Sequence, residues 1–141
     1  MIVSLHVASG AAVGAVSGSR GRAVALGLLA HLVGDRVPHQ DLPSRRFELR
    51  SGVALLLLVA ARHGPFDPAT IGAAAASSPD LEHVVRLPRP GGGKLFPSHR
   101  FRGWHRAGGL PTWLQLLAAG TLVGLVLAGS RSSETGWRGV P

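Results

Sequence analysis

The sequence predicts an all-α fold: a small bundle of about five helices with a long irregular loop and a C-terminal hydrophobic helix. Three observations predict it. Hydrophobic residues make up 45% of the 141-residue chain, yet aromatics are only 5% and Tyr is absent. The apolar bulk is therefore Ala, Val and Leu, which fill helix–helix interfaces better than strand sandwiches. Many of the 20 glycines sit inside apolar runs rather than in polar linkers, a habit of closely packed membrane-embedded helices. Finally, apolar runs of helical length are separated by proline- and glycine-bearing polar segments, enough for one compact domain with a helix to spare.

The first run, Ile2 to Ser17, reads as a mildly apolar helix with His6 in its middle. It lacks the basic start of a secretory signal. SGSRG makes a turn, and a second helix from Arg22 to about Asp35 stops before Pro38, because the residue preceding proline is biased out of the helical region. The loop PHQDLPSRR leads to a third helix, Phe47 to Arg62, around VALLLLVAA. Pro68 suits the first position of a fourth helix, ATIGAAAASS, which Pro79 should stop. Pro79 to Gly103 has three further prolines and a GGG, and reads as a long irregular loop. Leu110 to Ala128 is nineteen residues without a charge, long enough to approach a bilayer's ~30 Å hydrocarbon core. Trp113 lies near one end as an interfacial anchor, and Arg100, Arg102 and Arg106 precede it, which places the bulk of the chain on the cytoplasmic side of a membrane. The alternative is a buried helix of a soluble protein. The organisation expected is thus a helical metal-binding domain over 1–109, a candidate transmembrane helix over 110–129 packed on the same bundle, and a disordered tail over 130–141.

The chain has no cysteine, which excludes disulfides and thiolate metal sites. A tightly held metal must use His, carboxylates and water. The net charge of +8 is carried by fourteen Arg and one Lys, Lys94. It reads either as solubility with GC-rich codon bias or as attraction to anionic lipid headgroups and phosphate-bearing substrates. Nucleic acid is not expected as a partner, because the arginines are scattered and few aromatics are available for stacking. The oligomeric state is left open.

Six of the seven His and four of the seven acids fall in four short patches. His31 and Asp35 stand four apart on the second helix, hence on one face. That face also carries Val24 and Leu28, so it should point inward, where a His and a carboxylate are costly unless paired or bound to a cation. Pro38 turns His39 back toward the same end, making three ligands of one metal site. An ordinary His31–Asp35 ion pair is the bland alternative. In PDLEH, Asp80 and His83 repeat the pattern after the fourth helix, against the alternative of a capping Asp with a solvated Glu–His pair. His6 is either a ligand or a satisfied core residue. In FPSHRFRGWHR, His99 would complete the metal site or act as acid or base, while Arg100 and Arg102 hold a phosphate. The alternative is a basic juxtamembrane segment. His105, beside Trp104, reads as interfacial, and His63 as a surface turn residue.

These patches resemble the membrane-bound metal-dependent hydrolases of the YdjM type, and more distantly the zinc-dependent phospholipase C and P1 nuclease fold. His6 matches an early His in a Gly/Ala-rich helix, PDLEH a Pro-Asp-x-Asp-His patch, and HLVGD a His-x-x-x-Asp helix patch. His99 is similar to the family's His in a Thr-His-Ser region. Two departures stand out: Glu82 replaces the central Asp, and HLVGD precedes PDLEH. The resemblance implies a helical, hydrolase-like protein.

The expectation is then a membrane-associated metal-dependent hydrolase acting on phosphoesters. His6, His31, Asp35, His39, Asp80, His83 and His99 would hold one or more divalent ions, Zn foremost and Mn or Fe otherwise. Asp41 or Glu82 would be the general base, and Arg100 and Arg102 would neutralise phosphate charge. The rival readings are a non-catalytic membrane metal-binding protein and a basic membrane-associated adaptor.

Overall fold

The computed structural model describes residues 1–85 and 88–129. The tail read as disordered, 130–141, lies outside the described residues. Five helices of some length are present, α1 (Val3–Ser17), α2 (Arg20–Arg36), α3 (Arg45–His63), α4 (Pro68–Ser77) and a last one over Thr112–Gly129. Two single-turn helices, α5 (Leu81–Val84) and α6 (Pro97–Arg100), fall between α4 and that last helix, α7. No strand occurs among the described residues. The fold is all-α, as the composition predicts.

Local chemistry sets the helix ends. Ser19 and Ser44 cap α2 and α3 by accepting from Arg22 N and Phe47 N, and Asp67 caps α4 through Ala69 N with Pro68 at the first helical position. Each cap satisfies an N–H that has no partner inside its helix. Gly18, at φ 68°, ends α1 in the left-handed conformation that a Cβ disfavours.

The most buried helix is α1, which packs chiefly on α4 and also on α2, α7 and α3. Its contact with α4 is backbone to backbone. A Cβ on Gly10 would stand 2.3 Å from the Gly72 carbonyl oxygen, and one on Gly72 would meet Gly10 O at 2.3 Å. The core is therefore built of Ala, Val and Gly, with Leu5 and Ile2 as its bulkier members. Larger side chains point out instead: Leu26, Leu29 and Val33 on α2, Leu57 and Leu58 on α3, and Trp113, Leu117 and Leu125 on α7 are all exposed. α7 is the one helix among the described residues long and apolar enough to cross a membrane. Its buried Gln115 accepts from Ile2 N and donates to Gln40 O and Leu110 O, tying α7 to α1 and to the two loops at its foot.

Two expectations need correction. The inward face of α2 is Ala23, Gly27, His31 and Gly34, while Val24 is exposed. The small residues win the interior because α2 and α4 approach closely; a Cβ on Gly27 would lie 2.5 Å from Gly72 O. Nor does Pro79 open a wholly irregular stretch. It sits at the start of a 3-10 turn, Ser78–Asp80, that runs into α5, and Pro97 likewise opens α6, since proline is tolerated where a helix N–H lacks a partner anyway.

Candidate metal centre

Gly34 makes room for the centre: a Cβ there would stand 3.2 Å from the His6 ring. Beside it, His6 from α1 stacks on His31 from α2, ring centroids 3.9 Å apart. Asp35 lies one turn beyond His31 and is buried with it. Its Oδ1 accepts from the Met1 amino group at 3.0 Å and from His6 Nε2 at 3.1 Å. Its Oδ2 accepts from Ser98 Oγ at 2.6 Å. α6 then carries His99 against the same carboxylate.

Three atoms converge here. His31 Nε2 is 3.1 Å from Asp35 Oδ2, His99 Nε2 is 3.3 Å from the same oxygen, and the two Nε2 atoms are 3.3 Å apart. The outer nitrogens decide what these atoms are. His31 Nδ1 is 2.7 Å from the Ala76 carbonyl, and His99 Nδ1 is 2.5 Å from Glu82 Oε1. A carbonyl and a carboxylate only accept, so both Nδ1 atoms carry hydrogen, and either ring, when neutral, aims an Nε2 lone pair at Asp35. Three acceptors facing one another repel unless a cation or an extra proton lies among them. Around a tetrahedral ion with bonds of about 2.0–2.1 Å, ligand atoms stand about 3.3–3.4 Å apart. The observed triangle is close to that size.

Further polar atoms surround it. His6 Nδ1 and Asp80 Oδ2 are buried without a hydrogen-bond partner. His6, His31 and Asp80 each bring a ligand atom within 4.8 Å of the others, as do Asp80, His83 and His99. Orphaned buried polar atoms of this kind are costly, and an ion would satisfy them. Burial pushes the Asp80 carboxyl up to about 6. For His99 burial works the other way, but its bonds to Asp35 and Glu82 outweigh that and hold it above the ordinary histidine value. Partial loss of solvent, with the charges of His99 and Lys94 beside it, pushes His83 down to about 4. His83 is exposed and its Nδ1 takes a bond from Lys94 Nζ at 2.9 Å, which puts it at the edge of the centre.

A cavity of about 870 Å³ opens onto the cluster at Asp35, Asp80, His83 and His99. Val3, Val7, Leu49, Val53, Leu56 and Val84 form its apolar wall, with Arg45, Lys94 and Arg102 as cations.

Of the residues predicted from sequence, His6, His31, Asp35, Asp80 and His99 meet in this centre, with His83 at its edge. His39 does not join them: its loop carries it to a separate group with Asp41 and His105, because residues 38–40 pair with 106–110 through their backbones. Glu82 spends its carboxylate on His99 and the Leu95 N–H. Burial alone would raise it, but those two bonds keep it below the usual glutamate value, so it orients His99 rather than shuttling protons. Arg100 is exposed and lies off the cavity wall, whereas Arg102 lies on it. Ser98 and Arg45 were missed, and His105, expected at an interface, lies instead beside His39. Ser98 and Arg45 carry no spacing signal, since what places them is α6 folding over α2 and α3 lining the cavity. His63 stands apart, 3.8 Å from Asp67.

Comparisons with family models, with curated proteins and with solved structures find no match for this chain.

Proposed function

We propose that this chain is a membrane-associated metal-dependent hydrolase acting on phosphoester substrates that carry an apolar portion. The observation that carries the reading is the triangle of His31, Asp35 and His99, three lone-pair atoms spaced as ligands of one ion with both rings oriented by partners that only accept. Imidazole and carboxylate donors suit Zn, with Mn or Fe as alternatives. When bound, such an ion supplies Lewis acidity and activates water as a nucleophile. The chain's own residues do the rest. His31, Asp35 and His99 hold the ion, with His6 and Asp80 available to complete the set. Glu82 and Ala76 fix the ligand rings. Asp80, with its raised pKa and free oxygen, is better placed than Glu82 or Asp41 to move a proton. Arg45, Lys94 and Arg102 face the cavity where a phosphate would sit, and the valine and leucine wall would take its apolar part.

Membrane association is supported by the distribution of bulk: the interior is mainly Ala, Gly, Val and a few polar residues, while most of the leucines of α2, α3 and α7 are not buried. That is the arrangement expected where lipid replaces water around a bundle. The basic residues before α7 favour the cytoplasmic face. The likeness to YdjM-type hydrolases belongs with this proposal.

The test is purification in detergent followed by elemental analysis and turnover of a generic phosphodiester. The reading expects a bound transition metal and activity, with the activity and the metal of this centre lost in Asp35→Ala and His31→Ala while helicity is retained. Metal without turnover of any phosphoester would leave a metal-binding protein, and failure to bind zinc or manganese at all would leave an adaptor.

A further inference from the structure

We infer that His39, Asp41 and His105 form a second, separate divalent-metal site that clips the α2–α3 loop to the segment leading into α7. His39 is 1% exposed although it lies in a loop. Its Nδ1 is 2.6 Å from the Val37 carbonyl oxygen, so Nδ1 carries hydrogen and the Nε2 lone pair points away. What it points at is His105 Nε2 at 2.9 Å, with Asp41 Oδ1 at 3.5 Å. Ligand atoms around a tetrahedral ion stand about 3.3–3.4 Å apart. The observed separations bracket that value, and His105, being exposed, can give by the few tenths of an ångström required.

The backbone holds the pair ready. His39 N–H donates to Arg106 O at 3.2 Å, Gln40 N–H to Leu110 O at 3.0 Å, and Leu110 N–H to Pro38 O at 2.9 Å. Gly109 permits this approach: its φ is +79° and a Cβ there would stand 2.5 Å from Pro38 O. Two segments more than sixty residues apart are thus zipped together, and each delivers an imidazole. The donor set of two nitrogens and one oxygen is that of a three-ligand zinc-class site, whose fourth position is left to water or a ligand. Asp41 and His105 line the same cavity as Asp35 and His99, so that open position faces the cavity. Without an ion, His105 donates its Nε2 hydrogen to His39. With one, His105 carries its hydrogen on Nδ1 and no net proton is released from the pair.

The experiment uses the full chain in detergent, loaded with Co(II) or Zn(II) and freed of excess by gel filtration. Wild type is expected to retain about two equivalents, and Asp35→Asn, which disables the first centre, about one. Adding His105→Gln or His39→Gln to Asp35→Asn removes that last equivalent, together with the cobalt d–d absorption of a nitrogen-ligated ion. His105 is exposed, so its substitution leaves helicity unchanged, and circular dichroism checks this. Asp35→Asn protein that takes up no cobalt, or an uptake indifferent to His105→Gln, overturns the second site, leaving a plain imidazole–imidazole hydrogen bond. Because the first centre is already disabled in this background, the metal count reports on the second site alone.

Discussion

Asp35 uses both carboxylate oxygens, so its neighbours sort by what they do for it. Asp35→Asn keeps the shape but removes the charge, and zinc affinity should fall further than in any variant of a residue that only orients a ligand. Glu82→Gln, which only loosens His99, is expected to cost about 10–100-fold in affinity, read by competition with a chelating dye. An unchanged affinity in Glu82→Gln would mean that Glu82 does not orient the ring. The pH dependence follows from two raised groups, His99 and Asp80. A proton on either competes with the ion, so affinity falls as pH drops through the range where His99 gains its proton and on through about 6, where Asp80 gains its own. His83, already neutral there, adds nothing. In the ion-free fold the sign is the reverse. His99 stabilises fully below its unfolded value of 6.5 and loses that contribution as pH rises through its higher folded value. Asp80 does so from 3.8 up through about 6. The gain in Tm from zinc should therefore grow with pH, and thermal scans with EDTA or zinc at three pH values would show it. A constant gain would count against these two ligands.

At the level of elements, the α1–α4 crossing depends on absent side chains. Gly72→Val puts a branched side chain against Gly10 O, which is backbone and cannot turn aside. We expect a loss of about 3 kcal/mol or more, seen as a lowered Tm in detergent; a wild-type Tm would contradict this packing. For α7 the informative change is on its outer face. Leu125 is 65% exposed, so in water Leu125→Arg would be nearly neutral. In a bilayer an arginine at the centre of a helix costs about 2.5–3.5 kcal/mol, and the change at Leu125, about one turn from the end of α7, should cost part of that. Loss of the variant from the carbonate-washed membrane fraction is the expected outcome, and unaltered fractionation would argue that α7 does not sit in lipid.

Across the whole molecule, one ion would tie α6, which packs only lightly on α2, to the closely packed pair α1 and α2. α1 contributes His6, α2 His31 and Asp35, the turn after α4 Asp80, and α6 His99, with Glu82 of α5 behind it. An ion that binds the folded chain alone stabilises it by about 4 kcal/mol at a thousandfold excess over Kd. Chelation should lower the Tm and zinc restore it, with neither effect arising from the first centre in Asp35→Asn. The cavity beside the His/Asp cluster is shaped by α3 as much as by the segments that carry the cluster, so the size of any occupant depends on a helix that adds no residue to the cluster.

Helix number and order were legible in the sequence because proline, glycine and serine act locally: Ser19, Ser44, Asp67 and Pro68 cap helices wherever the chain takes them. The scarcity of acids and histidines marked His31, Asp35, Asp80 and His99 for the same reason, since buried charge needs a partner. Inward faces were less legible. Val24 looked like core by its hydrophobicity, yet the interior went to Gly27 and Ala23, because close backbone approach rewards small size over greasiness. The partition of the histidines was beyond sequence altogether. His39 lies eight residues from His31 and looks like its companion, but backbone pairing with residues 106–110 hands it to His105. Composition and spacing determined which residues must find partners; only the crossing of the helices and the zipping of two distant loops decided which partner each received, because those distances depend on contacts the linear order does not encode.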